Sequence, residues 1–232
     1  MRFLKGLIAP LPMIVVVAAV LLLTAGLAGG KWVWLHAWAF VAVYAGLSMA
    51  GSAYLAVLRP ASFAVRRQPA IANKAKKQPL IDTLGLIGYL VFALGWLVFI
   101  GLDVVRLHLM APPGGAVAVA GLALVIAGLV IGYAAFAQNR FAAPGIHDQS
   151  GQQVMDTGLY SVVRHPFYAA MLLVYLGAPL WLGSYAGALA ASGFLVLTLA
   201  RIVIEERWLR EHLPDYAAYA KRVRGRLIPY VL

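Results

Sequence analysis

Five stretches of this chain contain no Asp, Glu, Lys or Arg: residues 6–30, 32–58, 83–102, 107–139 (core near 116–137) and 165–200. Each reaches the roughly 20 residues a helix needs to cross a bilayer. No other feature constrains the fold as strongly. Backbone polar groups in hydrocarbon must be satisfied within the protein, and continuous apolar runs of this length do so as helices. Charged residues make up 12% of the 232 positions, about half the share found in soluble domains. A cytosolic or secreted globule is excluded, and so is a disordered chain, which needs low hydrophobicity. The expected fold class is all-α: a polytopic helical membrane protein.

The fifth run is too long for one span. As a single helix its 36 residues would extend roughly 54 Å, against a hydrocarbon core of about 30 Å. Pro179 and the Gly183-Ser184 pair lie near its middle, where a helix breaks most readily. The expectation is a hairpin of two helices, about 167–182 and 185–204, giving about six membrane helices in all. Charge supports this arrangement. With the N-terminus cytoplasmic and the hairpin formed, 17 of the 19 basic residues fall inside and only Lys31 and Arg106 fall outside, in line with the positive-inside tendency. Both termini are expected in the cytoplasm of a multi-pass cell-membrane protein, the C-terminal part as amphipathic helices.

The same distribution accounts for the net charge of +11 without nucleic acid. The loop 59–79 carries six basic residues and no acid, but three prolines interrupt it and it lacks ordered aromatic platforms. It reads as a topology determinant touching anionic headgroups of membrane lipids. With no cysteine, disulfides, thiolate metal sites and a cysteine nucleophile are excluded. His36 fits an interfacial aromatic belt with Trp32, Trp34 and Trp38. His108 and His147 have no partners at metal-ligand spacing, so no metal is expected. Dinucleotide, Walker, serine-hydrolase and zinc-protease motifs are all missing.

Residues 1–137 therefore read as four membrane spans, and 138–232 as the part that carries chemistry. Two polar blocks, 138–166 and 201–232, flank the hairpin, which brings them together. In the first, Arg164-His165-Pro166 is open to two readings: a headgroup arginine, an interfacial histidine and a helix-starting proline, or a binding loop. In the second, Arg201-x-x-x-Glu205-Glu206 closes the long uncharged run, and carboxylates at a membrane boundary are unfavourable unless paired or wet. Arg201 and Glu205 share a helix face at i, i+4, as do Glu206 and Arg210. A solvated helix end is the plain alternative. Together the blocks offer cations, an imidazole, carboxylates and tyrosines around one mouth, a set suited to a zwitterionic ligand.

In order along the chain, Thr157-Gly158-Leu159-Tyr160, Val163-Arg164-His165-Pro166-Phe167-Tyr168, the hairpin, Arg201…Glu205-Glu206 and the ending Tyr216-x-x-Tyr219…Arg222-Val223…Ile228-Pro229 resemble the isoprenylcysteine carboxyl methyltransferase family. Phospholipid N-methyltransferases and membrane thiol methyltransferases are among its relatives. The resemblance covers about residues 138–232. It implies an integral-membrane enzyme that uses S-adenosyl-L-methionine without a Rossmann domain and acts on a lipophilic acceptor, in the first place a carboxylate of an isoprenylcysteine-like molecule. By the same resemblance, Tyr160, Arg164, His165, Pro166, Tyr168, Glu205 and Glu206 bind the cofactor. Arg201 and Glu205 are the catalytic pair, Arg201 orienting an anionic substrate group or pairing with Glu205. Where the family often has glycine, this chain has Ala170, small enough for close packing to survive. A phospholipid amine or a small thiol remains open as acceptor. A small transporter or lipid-binding protein is the non-enzyme alternative. It would call for ionisable residues buried within the spans, and the uncharged runs contain none.

Overall fold

The computed structural model describes residues 1–68, 80–146 and 149–229. Lys74, Lys76, Lys77, His147 and Leu232, which entered the topology and metal expectations, lie outside these segments. The described chain is helical, without strands. Its elements are α1 (Arg2–Ile8), α2 (Leu11–Gly29), α3 (Leu35–Leu58), α4 (Pro60–Arg66), α5 (Leu80–Leu102), α6 (Gly115–Gln138), α7 (Pro166–Leu182), α8 (Tyr185–Ala190), α9 (Ser192–His212) and α10 (Tyr216–Arg222). A π-turn, Asp103–Leu107, extends α5, and a 3-10 turn, Gly158–Ser161, precedes α7.

Among the described residues, five helical stretches are long and apolar enough to cross a membrane: Arg2–Gly29, Leu35–Leu58, Leu80–Leu107, Gly115–Gln138 and Tyr185–His212. Large apolar side chains such as Leu27, Val91, Val130 and Val196 point outward and are exposed, as expected where the surrounding solvent is lipid. Inside, one apolar core takes side chains from six helices, among them Leu21, Phe40, Ile100, Val125, Leu182 and Phe194. Phe194 sits at the centre of an aromatic group, stacked on Tyr175 at 3.8 Å and edge-on to Phe92 and Trp96 at 4.7 and 5.1 Å.

The fifth uncharged run turns back at Gly183-Ser184 as expected, while its second arm, expected as one helix, is divided at Ala191 into α8 and α9. Helix α7 continues through Pro179, and Gly183, at φ +102°, ends it in the left-handed region that glycine adopts without strain. The amides of Gly183 and Ser184 both donate to the Pro179 carbonyl. With 17 residues, α7 is roughly 26 Å long and falls short of a full span. Its main partner is α6 rather than α9. A Cβ on Gly121 would lie 2.7 Å from the Gly177 carbonyl oxygen, and one on Gly128 2.5 Å from that of Ala170. Small residues let two backbones touch where lipid supplies no hydrophobic drive between helices. Ala170 is buried in this seam, and the glycine that makes room stands opposite it on α6.

The acid-free reading of the third span needs correction. Helix α5 includes Asp82, and the π-turn begins at Asp103; both carboxylates are buried. They lie at opposite ends of the bundle, not at mid-depth. Asp103 accepts from Ser184 Oγ at 2.6 Å and the Leu109 amide at 2.9 Å, fastening α5 to the α7–α8 turn. Asp82 belongs to the other end, where the polar blocks meet.

Candidate functional site

The loop before α7 is shaped by Gly158, at φ +59°, over which the Gln138 side chain closes so tightly that a Cβ would stand 2.5 Å from its Oε1. Gln138 Oε1 accepts from the Leu159 amide at 2.9 Å. The turn places Tyr160, whose carbonyl accepts from Tyr219 Oη at 2.7 Å. The Arg164 and His165 amides then donate to the carbonyls of Gly225 and Arg226, both at 2.9 Å. The loop is thus stitched to the C-terminal strap, and Pro166, without an amide hydrogen to satisfy, starts α7.

The side chains of this loop divide into two groups. Arg164 turns inward, donating from Nε to Glu206 Oε1 at 2.7 Å and from Nη1 to the Val223 and Arg224 carbonyls at 2.6 and 2.8 Å. His165 Nε2 stands 3.2 Å from the same carboxylate oxygen. Glu206 also faces Arg210 at 3.3 Å and Arg226 at 3.5 Å. With 1% of its surface exposed, Glu206 is a buried hub that ties the loop, α9 and the strap together. Breaking such a buried pair leaves an uncompensated charge.

One position earlier on α9, Glu205 faces elsewhere. Its Oε2 accepts from Tyr168 Oη at 2.6 Å. Tyr168 Oη in turn accepts from Arg201 Nε at 2.8 Å. The expected Arg201–Glu205 pair is therefore relayed through a phenol. Arg201 meets its counter-charge on α5, Nη1 lying 2.8 Å from Asp82 Oδ1, while Nη2 donates to the Pro144 carbonyl at 2.9 Å. The second oxygen of Asp82 accepts from the Ile146 amide at 3.0 Å, so the same carboxylate holds down the loop that roofs the site.

Between these groups lies a cavity of about 440 Å³, inside the range of about 300–1,000 Å³ typical of small-molecule sites. Tyr160, Arg164, His165, Pro166, Tyr168, Arg201 and Glu205 all line it; Glu206 does not. One part of the wall is apolar, with Met13, Leu86, Phe136, Phe167 and Met171 from the bundle, and another is polar and aromatic, with Gln152, Trp208, Tyr216 and Tyr219. Burial pushes the Tyr160 phenol up to about 12 and raises Tyr216 and Tyr219 as well. All three are neutral near pH 7. Two buried polar atoms of the wall, Gln152 Oε1 and Tyr216 Oη, have no hydrogen-bond partner among the described residues.

Two participants, Asp82 and Arg66, were not expected from sequence. Asp82 had a legible signal, a carboxylate at the edge of an uncharged run, the same signal that singled out Glu205 and Glu206. Arg66, read as one of the topology-setting basic residues, comes from α4, and its guanidinium lies 3.9 Å over the Phe136 ring on the cavity wall. Nothing in its sequence surroundings separates it from Arg59 or Arg67.

Residues 116–215 match the family described as phospholipid methyltransferase, the family that includes isoprenylcysteine carboxyl methyltransferases and phospholipid N-methyltransferases. The match runs from α6 to the start of α10, taking in the loop, α7 and the Arg201–Glu206 turn; Arg66 and Asp82 fall outside it. The chain is also similar to the cobalt-zinc-cadmium resistance protein CzcN of Cupriavidus metallidurans, with 34% identity over 82 residues, 33% of this chain and 36% of that protein. The alignment thus spans about a third of the relative's length.

Proposed function

We propose, from the match of residues 116–215 to the phospholipid methyltransferase family, that this chain is an integral-membrane methyltransferase using S-adenosyl-L-methionine. The observation that carries the reading is the cavity itself, where the Arg164-His165-Pro166 loop and the Arg201–Glu205 turn meet at one end of an apolar bundle. Its donor set suits the cofactor. Glu205 offers a carboxylate to a cation, Tyr160, Tyr168 and Trp208 offer aromatic faces to a sulfonium or a base, and the orphaned Gln152 Oε1 and Tyr216 Oη offer one acceptor and one donor. Tyr160, His165, Pro166, Tyr168 and Glu205 would hold the cofactor directly. Arg164, on the wall, and Glu206, behind it, act as positioning residues that fix the loop. Arg201, neutralised by Asp82, orients Tyr168 and Glu205.

When bound, the cofactor supplies an already activated methyl group, so the protein's task is alignment and exclusion of water. The roof around Pro144 and Ile146, fastened through Arg201 and Asp82, closes the polar side. The apolar wall receives a lipophilic acceptor from the bundle. The first candidate is a carboxylate of an isoprenylcysteine-like molecule. A carboxylate is ionised at neutral pH and needs no base, whereas a protonated amine must first lose a proton. The imidazole on the wall is held against Glu206 and Glu205 accepts from Tyr168, which supports the acceptor that asks for no deprotonation. The basic residues gathered at this end support a cytoplasmic location for it.

Calorimetric titration of the purified protein in nanodiscs with S-adenosylhomocysteine tests the reading. Saturable binding is expected; no isotherm and no thermal stabilisation at millimolar ligand would refute it.

A further inference from the structure

The cations of the cavity differ in what neutralises them. Arg201 faces Asp82 at 2.8 Å and Arg164 faces Glu206 at 2.7 Å. Arg66 has no carboxylate partner among the described residues. Its polar contact there is one long hydrogen bond from Nη1 to the Ala142 carbonyl, at 3.4 Å. The guanidinium carbon instead lies against aromatic rings, 3.9 Å from the Phe136 ring centre and 5.3 Å from that of Phe167. A cation–π contact of this kind engages the ring face without accepting a conventional hydrogen bond, so N–H donors stay available to another group. Burial brings its ionisation down to about 10, still fully cationic at pH 7. This half-buried planar cation meets no anion among the described residues and is placed to receive one.

Its position says what kind of anion. Phe136 and Phe167 belong to the apolar wall with Met13, Leu86 and Met171, while Ala142 belongs to the polar roof. Arg66 therefore stands at the boundary, where a lipophilic molecule would present its polar head. Building on the methyltransferase reading above, we propose that Arg66 is the anion receptor of this cavity and that it binds a carboxylate, in the first place that of the lipophilic acceptor. The planar fork matches a carboxylate through two parallel hydrogen bonds. The other carboxylate the site would meet is the one on the cofactor's amino-acid end, and experiment separates the two.

The test compares wild type, Arg66→Gln, Arg66→Lys and Arg67→Gln in nanodiscs. Arg67 is the exposed neighbour, so its replacement makes the same charge change off the cavity wall. Two pairs of probes are titrated: N-acetyl-S-farnesylcysteine against its methyl ester, and S-adenosylhomocysteine against its decarboxylated analogue. One charge-assisted contact corresponds to a preference of roughly 10- to 150-fold for the carboxylate form. Wild type and Arg67→Gln are expected to show that preference for the farnesyl acid over its ester, Arg66→Gln to lose it, and Arg66→Lys to keep part of it. Loss of preference only in the cofactor pair also supports the carboxylate site and moves its source to the cofactor. If wild type binds S-adenosylhomocysteine but Arg66→Gln and Arg66→Lys match Arg67→Gln with both pairs, the proposal falls while the methyltransferase reading stands. If wild type binds none of the four probes, both fall.

Discussion

Glu205 and Glu206 are adjacent and chemically alike, yet their surroundings predict opposite consequences for the same substitution. Glu206→Gln keeps the volume and removes the charge from a site that is 1% exposed. Of its three arginine neighbours, Arg210 and Arg226 have side chains 50% and 38% exposed, and pairs of that kind contribute about 0–1 kcal/mol each. The main loss comes from Arg164, whose side chain is 6% exposed. Removing one partner of a buried pair costs about 3–5 kcal/mol. The Val223 and Arg224 carbonyls still hold the guanidinium, which points to the lower end, about 3 kcal/mol. At about 2–4 °C per kcal/mol for a chain of this size, Tm should fall by roughly 6–12 °C. Glu205→Gln removes a charge from the cavity wall, where its main effect is on bound ligand. Its Tm should stay close to wild type, while affinity for S-adenosylhomocysteine falls roughly 10- to 150-fold. Differential scanning fluorimetry and calorimetry on the same preparations measure both quantities. Glu206→Gln with unchanged Tm and a binding loss equal to that of Glu205→Gln would refute the assignment of hub and wall.

Asp82→Asn strips the counter-charge from Arg201 and is expected to lower Tm and weaken S-adenosylhomocysteine binding together, because Tyr168 and Glu205 lose their support; binding that survives intact in the folded variant would show that Arg201 holds them without Asp82. Gly128→Leu places a Cβ 2.5 Å from the Ala170 carbonyl oxygen, so α6 and α7 must separate and folded yield in detergent should drop sharply, while the lipid-facing Val130→Leu should be silent. Because the chain has no cysteine, single cysteines report sidedness cleanly. Glu211→Cys is expected to react with an impermeant maleimide from the cytoplasmic side and Leu109→Cys from the opposite side, and the reverse pattern would overturn the proposed orientation.

The sequence alone carried the helices. In hydrocarbon the backbone has one local way to satisfy its hydrogen bonds, so each uncharged run becomes a helix wherever the chain places it, and Gly183 and Pro166 mark ends that only their own backbone chemistry sets. It also pointed to the loop and the Arg201–Glu206 turn, because charges at a membrane boundary stand out against apolar surroundings. Tertiary structure decided what those charges do. Glu205 and Glu206 are about 100° apart around α9, and which of them faces the cavity depends on how the helix is rotated against α7. Asp82 reaches Arg201 across 119 positions, and Arg66 enters from a helix whose basic residues look alike in sequence. Helices that are apolar on every side hold little in their own pattern about which neighbour they face. That choice is made by close fit, Gly121 and Gly128 against α7 and Phe194 among its aromatic partners, and the fit exists only once the helices have met.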